Sequence, residues 1–493
     1  MGLRKRFKDF RDWCPQPPDR LPTKLKHYAM PIAAVAMVTL VLSMSFFVLS
    51  SSVVAPILPL ANGDSTSTSD WPMFNANPSH TGVGTGSQIL TPKLLWTYNT
   101  FAPVVSSPAV VDGVVYIGSD NSDVIALNAT SGVQIWNYSI TPVFPVYSSP
   151  AVDNGVVYVG SMNSNVYALN ATNGAQIWSY NTRGPVASSP AVVGGVVYIG
   201  SGGGISYIYA LNATNGAKLW SYPTSGYIIM SSPAVVGGDV YIGSTKGLTQ
   251  THGSVYALNA TAGTLLWNYT TNGRVTSSPT VANGVVYVGD ADGNVYALDA
   301  ANGGKLWNYS AGGAVEMSPA VADGWVYAGG SNSMYALNAT NGSKLWNYTA
   351  NLLGVSPAFI GGVVYVGNMT ALNATDGVEI WSYDTDKYGS TTASSPAVVN
   401  GVIYVGGGYR VYALGNRPAP STSFLSSNAS LVLVGVLVAI VVIVASVVFL
   451  FRKRLKTRLP PSLLQNFSSV RQSKFFKENL ACKDHRRANY EFA

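Results

Sequence analysis

Between residues 91 and 415 the chain is written in short apolar runs of Val, Ile, Ala and Tyr, broken at close intervals by Gly, Asn and Ser. Residues 186–222 show the unit: VASSPAVV, a Gly194-Gly195 pair, VVYIGS, a Gly/Ser loop, YIYALNATNG and AKLWSY. Runs of four to eight residues bounded by tight-turn residues predict short antiparallel strands, not helices. The pairs Asp112-Gly113, Asn283-Gly284, Asp323-Gly324 and Asn400-Gly401 suit two-residue hairpins, which need positive φ at both central positions. No stretch here carries a helical apolar period of useful length.

The unit recurs. A Ser-Pro opens each copy, with prolines at 108, 150, 190, 233, 279, 319, 357 and 396, spaced by 42, 40, 43, 46, 40, 38 and 39 residues. Four strands per forty residues, eight times over, predict an all-β, eight-bladed β-propeller. Eight Trp stand in a Trp-x-Tyr setting: Trp96, Trp136, Trp178, Trp220, Trp267, Trp307, Trp346 and Trp381. Trp96 precedes the first Ser-Pro, and no Trp strand follows the last. The Trp96 strand is therefore expected to complete the eighth blade and clasp the ring. Proline cannot donate to a ladder, so each Ser-Pro is expected at an edge strand, the innermost one, facing the channel.

Ala126 to Trp136 resembles the tryptophan-docking motif A-x-D-x-x-T-G-x-x-x-W of the pyrroloquinoline-quinone repeat family. Seven copies keep Gly four residues before Trp: Gly132, Gly174, Gly216, Gly263, Gly303, Gly342 and Gly377. Asp70-Trp71-Pro72-Met73-Phe74, followed by His80-Thr81-Gly82, resembles the lead-in common in that family. The motif Asp is Asn in every copy except Asp299, and the motif Thr is Ser, Asn, Ala or Asp. The resemblance covers about residues 70–415 and implies a propeller with structural docking Trp and turn Gly. The family contains quinoprotein dehydrogenases, which use pyrroloquinoline quinone (PQQ) and Ca²⁺ with an Asp base. It also contains the non-catalytic propeller lipoprotein of the bacterial outer-membrane assembly machine.

The ends differ from the middle. Residues 32–54 and 431–451 are uncharged apolar stretches long enough to span a bilayer. Basic runs flank them on the tail sides: Arg4, Lys5, Arg6 and Lys8 before the first, Arg452, Lys453, Arg454 and Lys456 after the second. By the positive-inside tendency both tails stay in the cytoplasm and the propeller lies outside. The expected order is a basic tail (1–28), an anchor with its flank (29–60), a linker and lead-in (61–90), the propeller (91–415), a Pro/Ser-rich linker (416–430), a second transmembrane helix (431–451) and a basic tail (452–493). An uncleaved first anchor is expected, because a cleaved signal has a shorter apolar region. Net charge is +5 in residues 1–27, +8 in residues 452–493 and −6 between them. The basic balance thus belongs to the tails. It argues against nucleic-acid binding and for attraction of the tails to anionic lipid.

Thirteen Asn between the two spans head Asn-x-Ser/Thr: Asn128, Asn137, Asn170, Asn212, Asn259, Asn268, Asn308, Asn338, Asn341, Asn347, Asn368, Asn373 and Asn428. They predict a glycosylated cell-surface domain, although Asn and Thr are also good turn residues that a repeat would copy. Cys14 and Cys482 lie in the tails, so the ring is held without disulfides.

Candidate chemistry is sparse. No Cys pair lies in the ring to cover a quinone, and Trp325 is the one spare Trp there for stacking on a cofactor. Asp290-x-Asp292-Gly-Asn294 resembles part of a Ca²⁺ loop but lacks the Glu ligand that should follow it. It stands where the other copies carry a polar turn. Variation concentrates three residues before each Ser-Pro proline, at Val105, Tyr147, Ala187, Met230, Thr276, Glu316, Gly354 and Ala393. Tyr147, Arg183, Arg274 and Glu316 are the candidate ligand rim. Arg274 and Glu316, in consecutive copies, are expected to be close enough to pair. The expected function is binding or scaffolding at the cell surface, toward an envelope protein or glycan, with no cofactor and no catalytic residues. A PQQ- and Ca²⁺-dependent dehydrogenase is the alternative.

Overall fold

The computed structural model describes residues 70–416, except 142–143, 225–229, 247–251, 331, 351, 353–354, 368 and 384–393. Both apolar stretches, both tails, Asn368, Asn428, Gly354 and Ala393 lie outside the described residues. Among the described residues no helix is long and apolar enough to cross a membrane.

The described residues form thirty-two strands in eight four-stranded antiparallel sheets. Seven are consecutive meanders. In the eighth, Lys93–Asn99 pairs with Arg410–Gly415, which leads inward through Val402–Gly407 to Ala397–Val399. The Trp96 strand is therefore the outer strand of blade 8, as its position in the sequence predicts. The inner strands have three residues each, from Ala109–Val111 in blade 1 to Ala397–Val399 in blade 8, and neighbouring inner strands meet all the way round.

Sequence chemistry explains the blades. Each inner strand turns into its neighbour through two positive-φ residues; Asp112 and Gly113, for example, have φ of 50° and 74°. Outer strands dock blade to blade. The Trp136 Nε1–H of blade 1 donates to Ala171 O in blade 2 at 2.8 Å, and Trp178 donates in the same way to Ala213 O in blade 3. The turn Gly lies flat against this indole. A Cβ on Gly174 would stand 2.7 Å from the Trp136 ring, and its φ of +71° also disfavours any side chain. Blade 8 has no such turn to offer, so Trp381 of blade 7 donates instead to Ile89 O in the lead-in, at 2.7 Å.

The Ser of each Ser-Pro closes a second ring. The Ser107 backbone N–H donates to Ser149 Oγ, Ser149 N–H to Ser189 Oγ, and so on through Ser232, Ser278, Ser318, Ser356 and Ser395, which donates back to Ser107 Oγ. The eight bonds run from 2.8 to 3.2 Å. Each proline thus follows a serine that ties two blades together, immediately before the inner strand.

One expectation needs correction. The inner edges do not simply face an open channel, because the lead-in covers them. Trp71 exchanges N–H···O bonds with Val110 in blade 1, at 2.8 Å each. Pro72 O then accepts from Val152, Pro78 O from Val235, Ser79 O from Val281, Thr81 O from Val321, Gly82 O from Phe359 and Thr85 O from Asn400. Residues 71–85 therefore visit the inner strands of blades 1, 2, 4, 5, 6, 7 and 8 in turn. Met73 packs into the core shared by blades 2 to 4. Backbone donors at a buried sheet edge need partners, and the lead-in supplies them. Gly82 makes the approach possible, since a Cβ there would lie 2.8 Å from Ala320 Cβ.

Candidate functional site

Meander order sets two unlike faces. Turns from the first to the second strand and from the third to the fourth share a hairpin face. Loops from the second to the third strand, and from each outer strand to the next inner strand, share a loop face. Tyr147, Arg183, Arg274 and Glu316 all fall in outer-to-inner loops, hence on the loop face.

They do not converge on one centre. Arg274 Nη2 bonds Glu316 Oε1 at 2.8 Å across blades 5 and 6, with both side chains about two-fifths exposed (44% and 38%). Exposed pairs of this kind are worth about 0–1 kcal/mol. Tyr147 leads into blade 2 and Arg183 into blade 3, three and two blades before the blade that Arg274 leads into. Arg183 is exposed, with φ of 64° and its N–H on Asn181 Oδ1 at 3.1 Å. Tyr147 is 37% exposed, and partial burial together with the Asp120 charge raises its phenol.

The described residues do not fit a Ca²⁺ centre. Ca²⁺ takes six to eight oxygen ligands, and among the described residues no group of three His, Cys, Asp or Glu comes together to hold a metal. Asp290 is fully buried, and its carboxylate is committed to the fold. Oδ1 accepts from Asn294 N–H at 2.8 Å, and Oδ2 accepts from Gly273 N–H at 3.1 Å and Tyr296 Oη at 3.0 Å. Trp325 begins the second strand of blade 6, beside the turn on the hairpin face and away from the rim.

Sequence reasoning passed over three features. His80 is buried in the lead-in, with Nδ1–H on Pro279 O at 3.1 Å and its ring edge-on to Phe74. Burial holds its pKa down to about 4. Phe101 is 84% exposed on the loop face, and Asp120 stands in a loop where other blades carry Met162, Gly202 or Ala291. The position varies from blade to blade, so the sequence carried no signal for Asp120.

The sequons are laid out by face. Asn128, Asn170, Asn212, Asn259, Asn338, Asn341 and Asn373 lie at hairpin-face turns, and Asn137, Asn268, Asn308 and Asn347 on outer strands. In the turns the Asn side chain has a structural task. Asn128 Oδ1 accepts from Thr130 and Ser131 N–H at 3.0 Å, and Asp299 Oδ1 does the same for Ala301 and Asn302. The turn needs only this oxygen, which is why Asn replaces the motif Asp without harm.

Comparison with known proteins follows the same lines. The solved structures that share this fold include the quinohemoprotein alcohol dehydrogenase from Comamonas testosteroni, at 18% identity over 72% of this chain and 82% of that one, with a TM-score of 0.61. A europium-containing methanol dehydrogenase matches at 14% identity over 71% and 98%, with a TM-score of 0.62. BamB from Moraxella catarrhalis matches at 19% identity over 66% and 98%, with a TM-score of 0.53. At these identities the likeness speaks for the fold alone. No curated protein sequence matches the chain. Residues 88–149, 143–250, 233–349 and 311–418 each match the PQQ-repeat family model described as outer membrane protein assembly factor BamB. With its docking Trp, its turn Gly and its eight blades accounted for, the chain belongs to the PQQ-like repeat propeller family.

Proposed function

We propose that this protein is a membrane-anchored, glycosylated propeller at the cell surface that acts as a binding or scaffold module without a cofactor. The observation that carries the reading is the division of labour around the ring. Repeat-conserving residues build the core, the Ser ring and the docking turns, while side chains that vary from blade to blade gather on the loop face. The committed carboxylate of Asp290 also favours binding over oxidation chemistry. Two apolar stretches with basic outer flanks support two membrane crossings with both tails in the cytoplasm. The partner class is an envelope protein or glycan, beside the lipid bilayer itself.

Two experiments test this. Protease added to intact cells is expected to spare both tails and reach the propeller; digestion of either tail from outside overturns the topology. Purified full-length protein titrated with pyrroloquinoline quinone and Ca²⁺ is expected to give no saturable absorbance change. Saturable binding with dye-linked oxidation of an alcohol or sugar replaces the reading with a quinoprotein dehydrogenase, the reading that the shared fold of the two dehydrogenases keeps in view.

A further inference from the structure

Four loops of the loop face form one hydrogen-bonded surface across blades 8, 1 and 2. Thr100 N–H donates to Tyr409 O at 2.9 Å, its Oγ1–H is shared between Ala102 O at 2.6 Å and Tyr409 O at 2.9 Å, and Val104 N–H donates to Gly408 O at 3.0 Å. On the other side, Asp120 N–H donates to Pro103 O at 3.0 Å. Ser122 Oγ–H then reaches Phe144 O at 2.8 Å, and Val146 N–H reaches Ser119 O at 3.2 Å. This framework holds five large apolar side chains in water: Phe101 at 84% exposure, Tyr409 at 46%, Phe144 at 43%, Tyr147 at 37% and Val105 at 36%. Exposed apolar side chains gathered on adjoining loops are the usual mark of an interaction site.

Two details point to what it receives. Phe101 is held at φ of 59°, with its N–H on Asn99 Oδ1 at 3.0 Å. The same turn holds Arg183 at φ of 64° with its N–H on Asn181 Oδ1, so the backbone is a feature of the repeat, and what is particular to this copy is the aromatic ring it carries into solvent. Among the described residues Asp120 Oδ1 is buried with no hydrogen-bond partner, and burial raises the pKa of the carboxyl. The fold does not ask for a carboxylate there. Met162, Gly202 and Ala291 make the same N–H bond, to Pro145, Pro185 and Arg274, with neutral side chains. Only Oδ1 of this carboxylate is closed off, which leaves Oδ2 as the oxygen that can meet a donor from outside.

We propose that this patch docks a polypeptide through an arginine whose guanidinium pairs with Asp120 while its apolar neighbours cover Phe101, Phe144 and Tyr147. One carboxylate close enough to Tyr147 for its charge to be felt there suits a planar organic cation, which bonds a carboxylate and stacks on rings. It does not suit a metal, which needs several oxygens. The patch spans three blades, too broad for a small molecule and typical of an interface with an aromatic and arginine centre. None of the described sequons stands on this face, so glycans at those positions leave it open.

The inference rests on the binding-module reading and names its face and partner chemistry. The test uses the full-length protein in detergent and calorimetric titration with acetyl-Phe-Arg-Leu-amide and its citrulline counterpart, which keeps the shape and removes the charge. The arginine peptide is expected to bind with a Kd about tenfold below that of the citrulline peptide, since a charge-assisted pair is worth about a factor of ten or more. Asp120→Asn, which keeps size, is expected to remove that difference, and Phe101→Ala to weaken both peptides. Equal binding of the two peptides overturns the proposal. So does unchanged binding by Asp120→Asn, or no binding of the arginine peptide at millimolar concentration. If a partner captured by the intact protein is held equally by Asp120→Asn, the patch is wrong and the binding-module reading stands. Quinone-dependent oxidation overturns that reading itself.

Discussion

Replacing Trp178 with Ala is expected to destabilise the ring by about 3–5 kcal/mol, the range for deleting a buried aromatic side chain. The indole is 7% exposed and lies between blades 2 and 3. It fills the space against Gly216, where a Cβ would come within 2.7 Å of the ring, and its Nε1–H satisfies Ala213 O at 2.8 Å. Truncation leaves a cavity and takes one of two donors from that carbonyl; Tyr158 Oη, at 3.2 Å, remains. Repeats bind mainly their neighbours, so the loss falls on one blade interface. Urea unfolding followed by tryptophan fluorescence checks the magnitude. A change below about 1 kcal/mol, the worth of an exposed contact, would show that the docking Trp is not what joins the blades.

The second large effect is a dependence of stability on pH traced to His80. Its folded pKa lies near 4, below the ordinary value of 6.5, because burial disfavours the imidazolium. The unfolded chain therefore binds more protons than the folded one between about pH 6.5 and 4. Stability is full above the unfolded pKa and falls as pH drops through that window. Each tenfold weakening of proton binding corresponds to about 1.4 kcal/mol, so the loss across the window is about 3 kcal/mol. His80→Asn is the informative variant, because Asn tolerates the left-handed φ of 58° and keeps a donor for Pro279 O. Urea unfolding at pH 7 and pH 4 is expected to show the variant losing about 3 kcal/mol less than the native chain. Equal losses would mean that His80 is protonated at no cost, and that the lead-in does not bury it as described.

Much of this molecule was legible in residue order. The Ser-Pro period, the Trp-x-Tyr count and the offset of Trp96 specified eight blades and the way they close, because each is a local pattern repeated eight times. Five of the eight turns out of the inner strands, among them Asp112-Gly113 and Gly194-Gly195, were equally readable, since positive φ admits few residues. Arg274 and Glu316 could be placed side by side because consecutive repeats carry them five and three residues before their Ser-Pro prolines, in the same loop of neighbouring blades.

Other features arise only once the ring is closed. The Ser hydrogen-bond circle joins residues about 40 positions apart, and its last bond joins Ser395 to Ser107. The passage of residues 71–85 across seven blades is set by the free N–H groups of inner strands far along the chain, to which no local signal in the lead-in points. Asp120 reads in the sequence as an ordinary loop residue. Its buried unpaired oxygen, and the aromatic side chains around it, come from loops of three blades packed together. The chain alone determined the repeating unit and its number, because these follow from local propensity and spacing. The closed tertiary structure decided which edges are covered and which side chains meet, because those depend on distances that exist only after the ends are joined.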